Sequence, residues 1–178
     1  MLYKFIDIPQ LEEIQQHFLK EVPRWPSSDH RNFPKDSEYL AGCTPLIEYL
    51  EKVNLWRYVK YIGILQIYPH VSPIHVDRGE ENTPYAINIP VYNYIDTHVA
   101  FYEVVSGETS IAKTTEDTQW TDYSTAEMKE IDRIYYHKAA IFNTQVPHHV
   151  CNYTDDVRIS VSIRFTKSLI DVIDLDSL

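Results

Sequence analysis

The sequence predicts an α+β fold, mainly β, in which helices near the N-terminus precede a β-sandwich or barrel. Three observations carry this. Apolar residues recur at helical spacing early in the chain, as Leu11, Ile14 and Phe18 and again as Leu46, Leu50 and Val53. From residue 57 onward, runs rich in Tyr, Val and Ile are separated by turn-forming residues. Helices come first and strands follow, which indicates an α+β arrangement rather than alternating β and α units. A chain of 178 residues is expected to form one domain. Its parts read as helical support with a lid-like loop (1–56), a β core (57–166) and an acidic tail (167–178).

Each element has a local reason. Asp7 can cap a helix with Pro9 in its first turn, which predicts a helix over 8–21. Pro23, Pro26 and Pro34, with Ser27, Ser28, Asp29 and Asn32, predict a loop over 22–42. That loop carries Arg24, His30, Arg31 and Lys35, a local reversal of the overall charge, together with Trp25 and Tyr39. Thr44-Pro45 starts a second helix. Strands are expected at Arg57–Tyr68, Tyr85–Asn93 and His98–Val105, then a turn at Ser106-Gly107 and a short strand at Ser110–Lys113. Ser124 followed by Glu127 is a capping-box pattern, so 125–136 reads as a helix, with a strand as the alternative. Ala139–Thr144 and Val157–Thr166 are the last expected strands.

Composition argues against several function classes. The net charge is −10, against the basic face expected of a protein that grips nucleic acid. The N-terminus shows no charged segment followed by a long apolar run, and no stretch is apolar enough to span a membrane. Cys43 and Cys151 lie far apart without CxxC or CxxH spacing, so neither a zinc site nor a disulfide framework is indicated. The expectation is a soluble protein in a reducing, cytoplasmic setting.

Three short patterns carry chemistry. His75-Val76-Asp77 is an H-x-D triplet, and in extended chain residues two apart share a face, so an imidazole and a carboxylate can converge on one metal ion. Chance supplies roughly half such a triplet in a chain of this composition, so it also fits a surface turn. Pro147-His148-His149-Val150 follows a short apolar strand and offers a further imidazole. Two His and one carboxylate leave positions open on an octahedral iron. Arg158-Ile-Ser160-Val-Ser162-Ile-Arg164-Phe165 alternates strictly, so Arg158, Ser160, Ser162 and Arg164 share one face. That face is either the polar outside of an edge strand or the inside of a barrel. Inside, an Arg fork and a hydroxyl would take a small dicarboxylate.

Together these pieces resemble the Fe(II)/2-oxoglutarate-dependent oxygenase superfamily, whose pattern is H-x-D, a distal His, then R-x-S. Here the matching residues are His75 and Asp77, His148, and Arg158 and Ser160. The resemblance spans about residues 57–166 and is densest over 142–165. It implies a double-stranded β-helix, a cupin-like jelly-roll, with Fe(II) held by His75, Asp77 and His148. It also implies 2-oxoglutarate held by Arg158 and Ser160; Tyr68, Asn88 and Tyr61 are candidates for further contacts, and each fits a core or surface polar position as well. O2 is the third reactant, and members couple release of CO2 and succinate to attack on a C–H bond. Related halogenases replace the carboxylate ligand with a small residue, so Asp77 points to hydroxylation. The superfamily's H-x-V-x-N form selects His148 over His149, and Arg164 is the alternative carboxylate partner. His98 could approach the site from the start of its strand. A small molecule or a protein side chain is the expected substrate. The competing readings are a non-catalytic cupin-like binding module and a cupin-type metalloenzyme that does not use 2-oxoglutarate.

Overall fold

A computed structural model describes residues 1–20, 30–78, 83–113 and 119–175. In chain order its strands are β1 (Tyr3–Phe5), β2 (His30–Pro34), β3 (Val59–Ile67), β4 (His70–Val71), β5 (His75–Arg78), β6 (Tyr85–Tyr92), β7 (Thr97–Gly107), β8 (Ser110–Lys113), β9 (Gln119–Asp122), β10 (Ala126–Tyr135), β11 (Ala140–Asn143), β12 (His148–Asn152) and β13 (Arg158–Phe165). The α-helices are α1 (Leu11–Leu19), α2 (Glu38–Ala41), α3 (Thr44–Lys52) and α4 (Leu169–Val172). One sheet runs β1-β11-β6-β13-β3-β2 and the other β10-β7-β12-β5-β9-β8, with β4 added beside β12. The strand pairs are antiparallel, and most neighbours are distant in sequence. This is a jelly-roll with supporting helices, as the sequence implied.

The alternation of β13 organises the interior. Ile159, Val161, Ile163 and Phe165 join Ile62 and Ile64 of β3 and Ile87 and Ile89 of β6 in one buried cluster, with Ile14 and Phe18 of α1 and Leu46 and Leu50 of α3. The helices therefore cover the back of the first sheet. Its front faces the second sheet, where Val99, Phe101, Ile134, Tyr136, Ala140 and Phe142 form a second cluster. Phe101 is its centre, fully buried, stacked on Tyr3 at 5.8 Å and tilted against Phe142 at 5.3 Å. Phe101→Ala is expected to lower stability by about 3–5 kcal/mol, read from the denaturant midpoint, because the surrounding sheets cannot close over the void.

Several local expectations give way to tertiary context. The first helix begins at Leu11, not residue 8. Gln10 stands before it in the left-handed region, φ 55°, and breaks the helical path that Pro9 would have opened. Asp7 pairs instead with Lys138 at 2.9 Å. The expected loop over 22–42 contains β2 and α2, the latter capped by Ser37, whose hydroxyl accepts from the Leu40 amide. Arg24 and Trp25 lie outside the described residues. The expected strand from Arg57 starts at Val59, after a 3-10 turn over Trp56–Tyr58.

Within 125–136, residues 126–135 form a strand, the alternative to the helix. β10 pairs with β7 along its length, and Glu127 accepts from Ser106 across the ladder at 2.8 Å instead of closing a capping box. A long partner strand offers more than one local cap can. The tail begins in order: α4 buries Leu169 in the main core, and Lys4 donates to the Leu175 carbonyl at 2.6 Å. Among the described residues no helix is long and apolar enough to cross a membrane.

Candidate metal centre

β5 and β12 bring the H-x-D triplet and the distal His together. His75 and His148 are direct partners in the antiparallel ladder, so their side chains share a face, and Asp77 shares it two residues on. The ligand atoms of His75, Asp77 and His148 all lie within 4.8 Å of one another. His75 Nε2 is 3.6 Å from Asp77 Oδ1. Backbone contacts hold the strand: the Asp77 amide donates to the Thr144 carbonyl at 3.1 Å, and Gln145 Nε2 donates to the Asp77 carbonyl at 2.7 Å.

The imidazoles are set for metal binding. Nδ1 of His75 lies 2.8 Å from the Pro73 carbonyl, and Nδ1 of His148 lies 2.8 Å from the Val146 carbonyl. A carbonyl only accepts, so each Nδ1 carries the proton and each Nε2 keeps its lone pair for the cluster. Burial, joined by the nearby His75, pushes the His148 pKa down to about 4, so its ring is neutral at neutral pH. Burial pushes the Asp77 carboxyl up, but Arg164, His148 and His75 outweigh it and hold its pKa at about 2. The cluster offers two imidazole rings and one carboxylate, a donor set suited to a divalent transition metal.

The cluster opens into a cavity of about 210 Å³ between the sheets. Arg158, Ser160 and Asn88 line it, beside apolar Val99 and Phe142. Arg158 is 3% exposed, its Nε has no partner, and it forms no ion pair among the described residues. Its guanidinium lies over the Tyr136 ring, 5.3 Å from the centroid. Asn88 Oδ1 is likewise buried without a partner. A buried guanidinium without an anion is costly, and a carboxylate supplied by a ligand would offset that cost.

The alternatives lie in different surroundings. His149 points to the opposite face, its Nε2 3.0 Å from the Tyr102 hydroxyl, so His148 is the residue that joins the cluster. Arg164 also lines the cavity, but its Nη2 donates to Asp77 Oδ2 at 2.6 Å, which leaves Arg158 as the unpaired cation. Tyr68 is not brought to the site. It follows the last residue of β3, is 42% exposed and does not line the cavity. Tyr61 is also outside the lining, and His98 packs on the opposite face against Tyr135. Tyr136 and Ser72 are polar lining residues that the sequence did not point to, and only Tyr136 lies beside the Arg158 guanidinium. Reading 126–135 as a strand would have found the tyrosine, since Ile134 and Tyr136 then alternate inward.

No protein-family model matches the chain, and no curated protein matches it in sequence. Solved structures do. AviO1 from Streptomyces viridochromogenes Tue57 aligns over 93% of this chain and 89% of its own, with a TM-score of 0.55 and 12% identity. The non-haem alpha-ketoglutarate-dependent carbocyclase SnoK from nogalamycin biosynthesis aligns over 99% of this chain and 86% of its own, with a TM-score of 0.53 and 12% identity. A Pseudomonas putida prolyl-4-hydroxylase aligns over 93% and 92%, with a TM-score of 0.50 and 10% identity. The chain has the fold of the Fe(II)/2-oxoglutarate-dependent oxygenases. At this identity the likeness speaks for the fold. The His75, Asp77, His148 cluster with the orphaned Arg158 fits both a metal and a dianion.

Proposed function

We propose that the chain is a non-haem Fe(II)- and 2-oxoglutarate-dependent dioxygenase that hydroxylates a small molecule or a protein side chain, releasing succinate and CO2. The observation that carries this reading is the buried, unpaired Arg158 in the same cavity as the His75, Asp77 and His148 cluster. A metal site alone would suit many chemistries, whereas a metal site facing an orphaned guanidinium suits a chelating dianion. When bound, Fe(II) would supply the oxidising chemistry by bringing O2 and the keto acid together.

The protein's own groups divide the remaining work. His75 and His148 present Nε2 lone pairs, and Asp77 presents a carboxylate held ionised. Arg158 and Ser160 would hold the far carboxylate, with Asn88 and Tyr136 beside them. Val99, Phe142 and Val150 are apolar walls that exclude water from that interior. The presence of Asp77 favours hydroxylation, and the acidic surface favours a substrate other than nucleic acid. Cys43 and Cys151 are both buried thiols, in keeping with a reducing, cytoplasmic setting.

The test is anaerobic addition of Fe(II) and then 2-oxoglutarate to the metal-free protein. A weak visible charge-transfer band should appear only with both, and succinate should form on admitting O2. Iron that stays bound without responding to 2-oxoglutarate would mark a cupin-type metalloenzyme. No iron binding at the cluster would leave a non-catalytic binding module.

A further inference from the structure

Asp77 meets a cation from across the sandwich. Its Oδ2 accepts from Arg164 Nη2 at 2.6 Å, while its Oδ1 faces His75 Nε2 at 3.6 Å. The two oxygens of one carboxylate therefore have separate partners. Arg164 is itself braced: it lies on β13, between β6 and β3, and its Nε donates to the Ser162 hydroxyl at 3.1 Å. Asp77 belongs to the other sheet, where its backbone is bonded on both sides, to Thr144 and from Gln145. Neither partner has much freedom to leave the other.

This matters for the number of positions a metal can offer. A carboxylate with both oxygens free can bind a metal through both. Two imidazoles and one carboxylate oxygen occupy about three of six octahedral positions, and a chelating keto acid takes about two more, leaving roughly one for O2. A carboxylate bound through both oxygens would take that last place. We propose that Arg164 is a positioning residue that occupies Asp77 Oδ2, so that Asp77 binds the metal through Oδ1 alone and one position stays open for O2. The inference rests on the metal-site reading above.

The test counts metal-bound water rather than turnover. Mn(II) is added to the metal-free protein, and the number of exchangeable waters on the bound ion is read from water-proton relaxation. The native chain should hold Mn(II) with about three such waters, and about one after 2-oxoglutarate is added. Arg164→Met, which keeps the length and loses the donors, should hold Mn(II) with about two, and none after 2-oxoglutarate. Arg164→Lys, whose ammonium can still donate to Oδ2, should move the count back toward the native value.

Melting temperatures measured alongside separate this from a purely structural role. If Arg164 were only a strut between the sheets, both variants would lose stability with the water count unchanged, and the inference would be overturned. It is overturned equally if Arg164→Lys gives the same count as Arg164→Met. Failure of the native chain to bind Mn(II) at all would instead overturn the metal-site reading.

Discussion

His75→Ala is expected to abolish Fe(II) binding and, with it, the charge-transfer band and all 2-oxoglutarate turnover, while leaving the melting temperature of the metal-free protein close to native. Losing one Nε2 lone pair removes a direct ligand, which should cost more than the roughly 10–100-fold in affinity that follows loss of an outer hydrogen-bond partner. His75 is partly exposed, and apart from the cluster its bond to the Pro73 carbonyl is local, so the fold loses little. Asp77→Ala should remove iron as completely but behave differently as a protein. It leaves Arg164 without its ion-pair partner, with Nη1 already unsatisfied. Breaking a fully buried pair costs about 3–5 kcal/mol, and this pair, open at one edge, should cost less but measurably lower the melting temperature. Equilibrium dialysis with Fe(II), read beside thermal unfolding, checks both. Retention of tight iron by the two variants would sink the assignment of the centre.

Arg158→Met should separate cosubstrate binding from stability. The guanidinium is buried without a partner anion, and burial pushes its pKa below the usual value, so the native fold bears most of the desolvation of this charge. Met fills similar volume without that cost. The contact with the Tyr136 ring would be lost, worth about 0.5–2 kcal/mol. Stability of the ligand-free protein should therefore be unchanged or higher. Affinity for 2-oxoglutarate should fall by about 2–4 kcal/mol, or roughly 30- to 1,000-fold, with metal affinity held. Titration of 2-oxoglutarate into the Mn(II)-loaded variant reads the first quantity, and denaturant unfolding the second. A variant that unfolds more easily yet binds 2-oxoglutarate normally would make Arg158 a structural residue.

Much of the candidate site was legible because side-chain alternation in a strand is local. The spacing of His75 and Asp77 put both on one face before any partner strand was known. His148 was singled out from His149 by the superfamily's H-x-V-x-N form, and in the structure His149 is turned toward Tyr102. Alternation also put Arg158 and Arg164 on one face of β13, but there the rule stopped. Only the approach of β5 from the other sheet distinguishes them, since it gives Asp77 to Arg164 and leaves Arg158 without an anion.

The misreadings have the same origin. Ser124 and Glu127 look like a helix cap within their own segment, and only pairing with β7 makes 126–135 a strand and turns Tyr136 into the cavity. Tyr68 continues the Tyr, Val and Ile pattern of its segment, which by itself places it in the strand. In the structure β3 ends at Ile67 and the tyrosine faces solvent.

The sequence by itself determined the fold class, the donor types and the face on which each donor lies, because these depend on hydropathy and on a two-residue period within single strands. Tertiary structure alone decided which donors meet, which Arg is neutralised and which is left to seek an anion. Those outcomes depend on β5 lying beside β12 and across from β13. Strand pairing between segments far apart in the chain is governed by the whole core, and no local pattern encodes it.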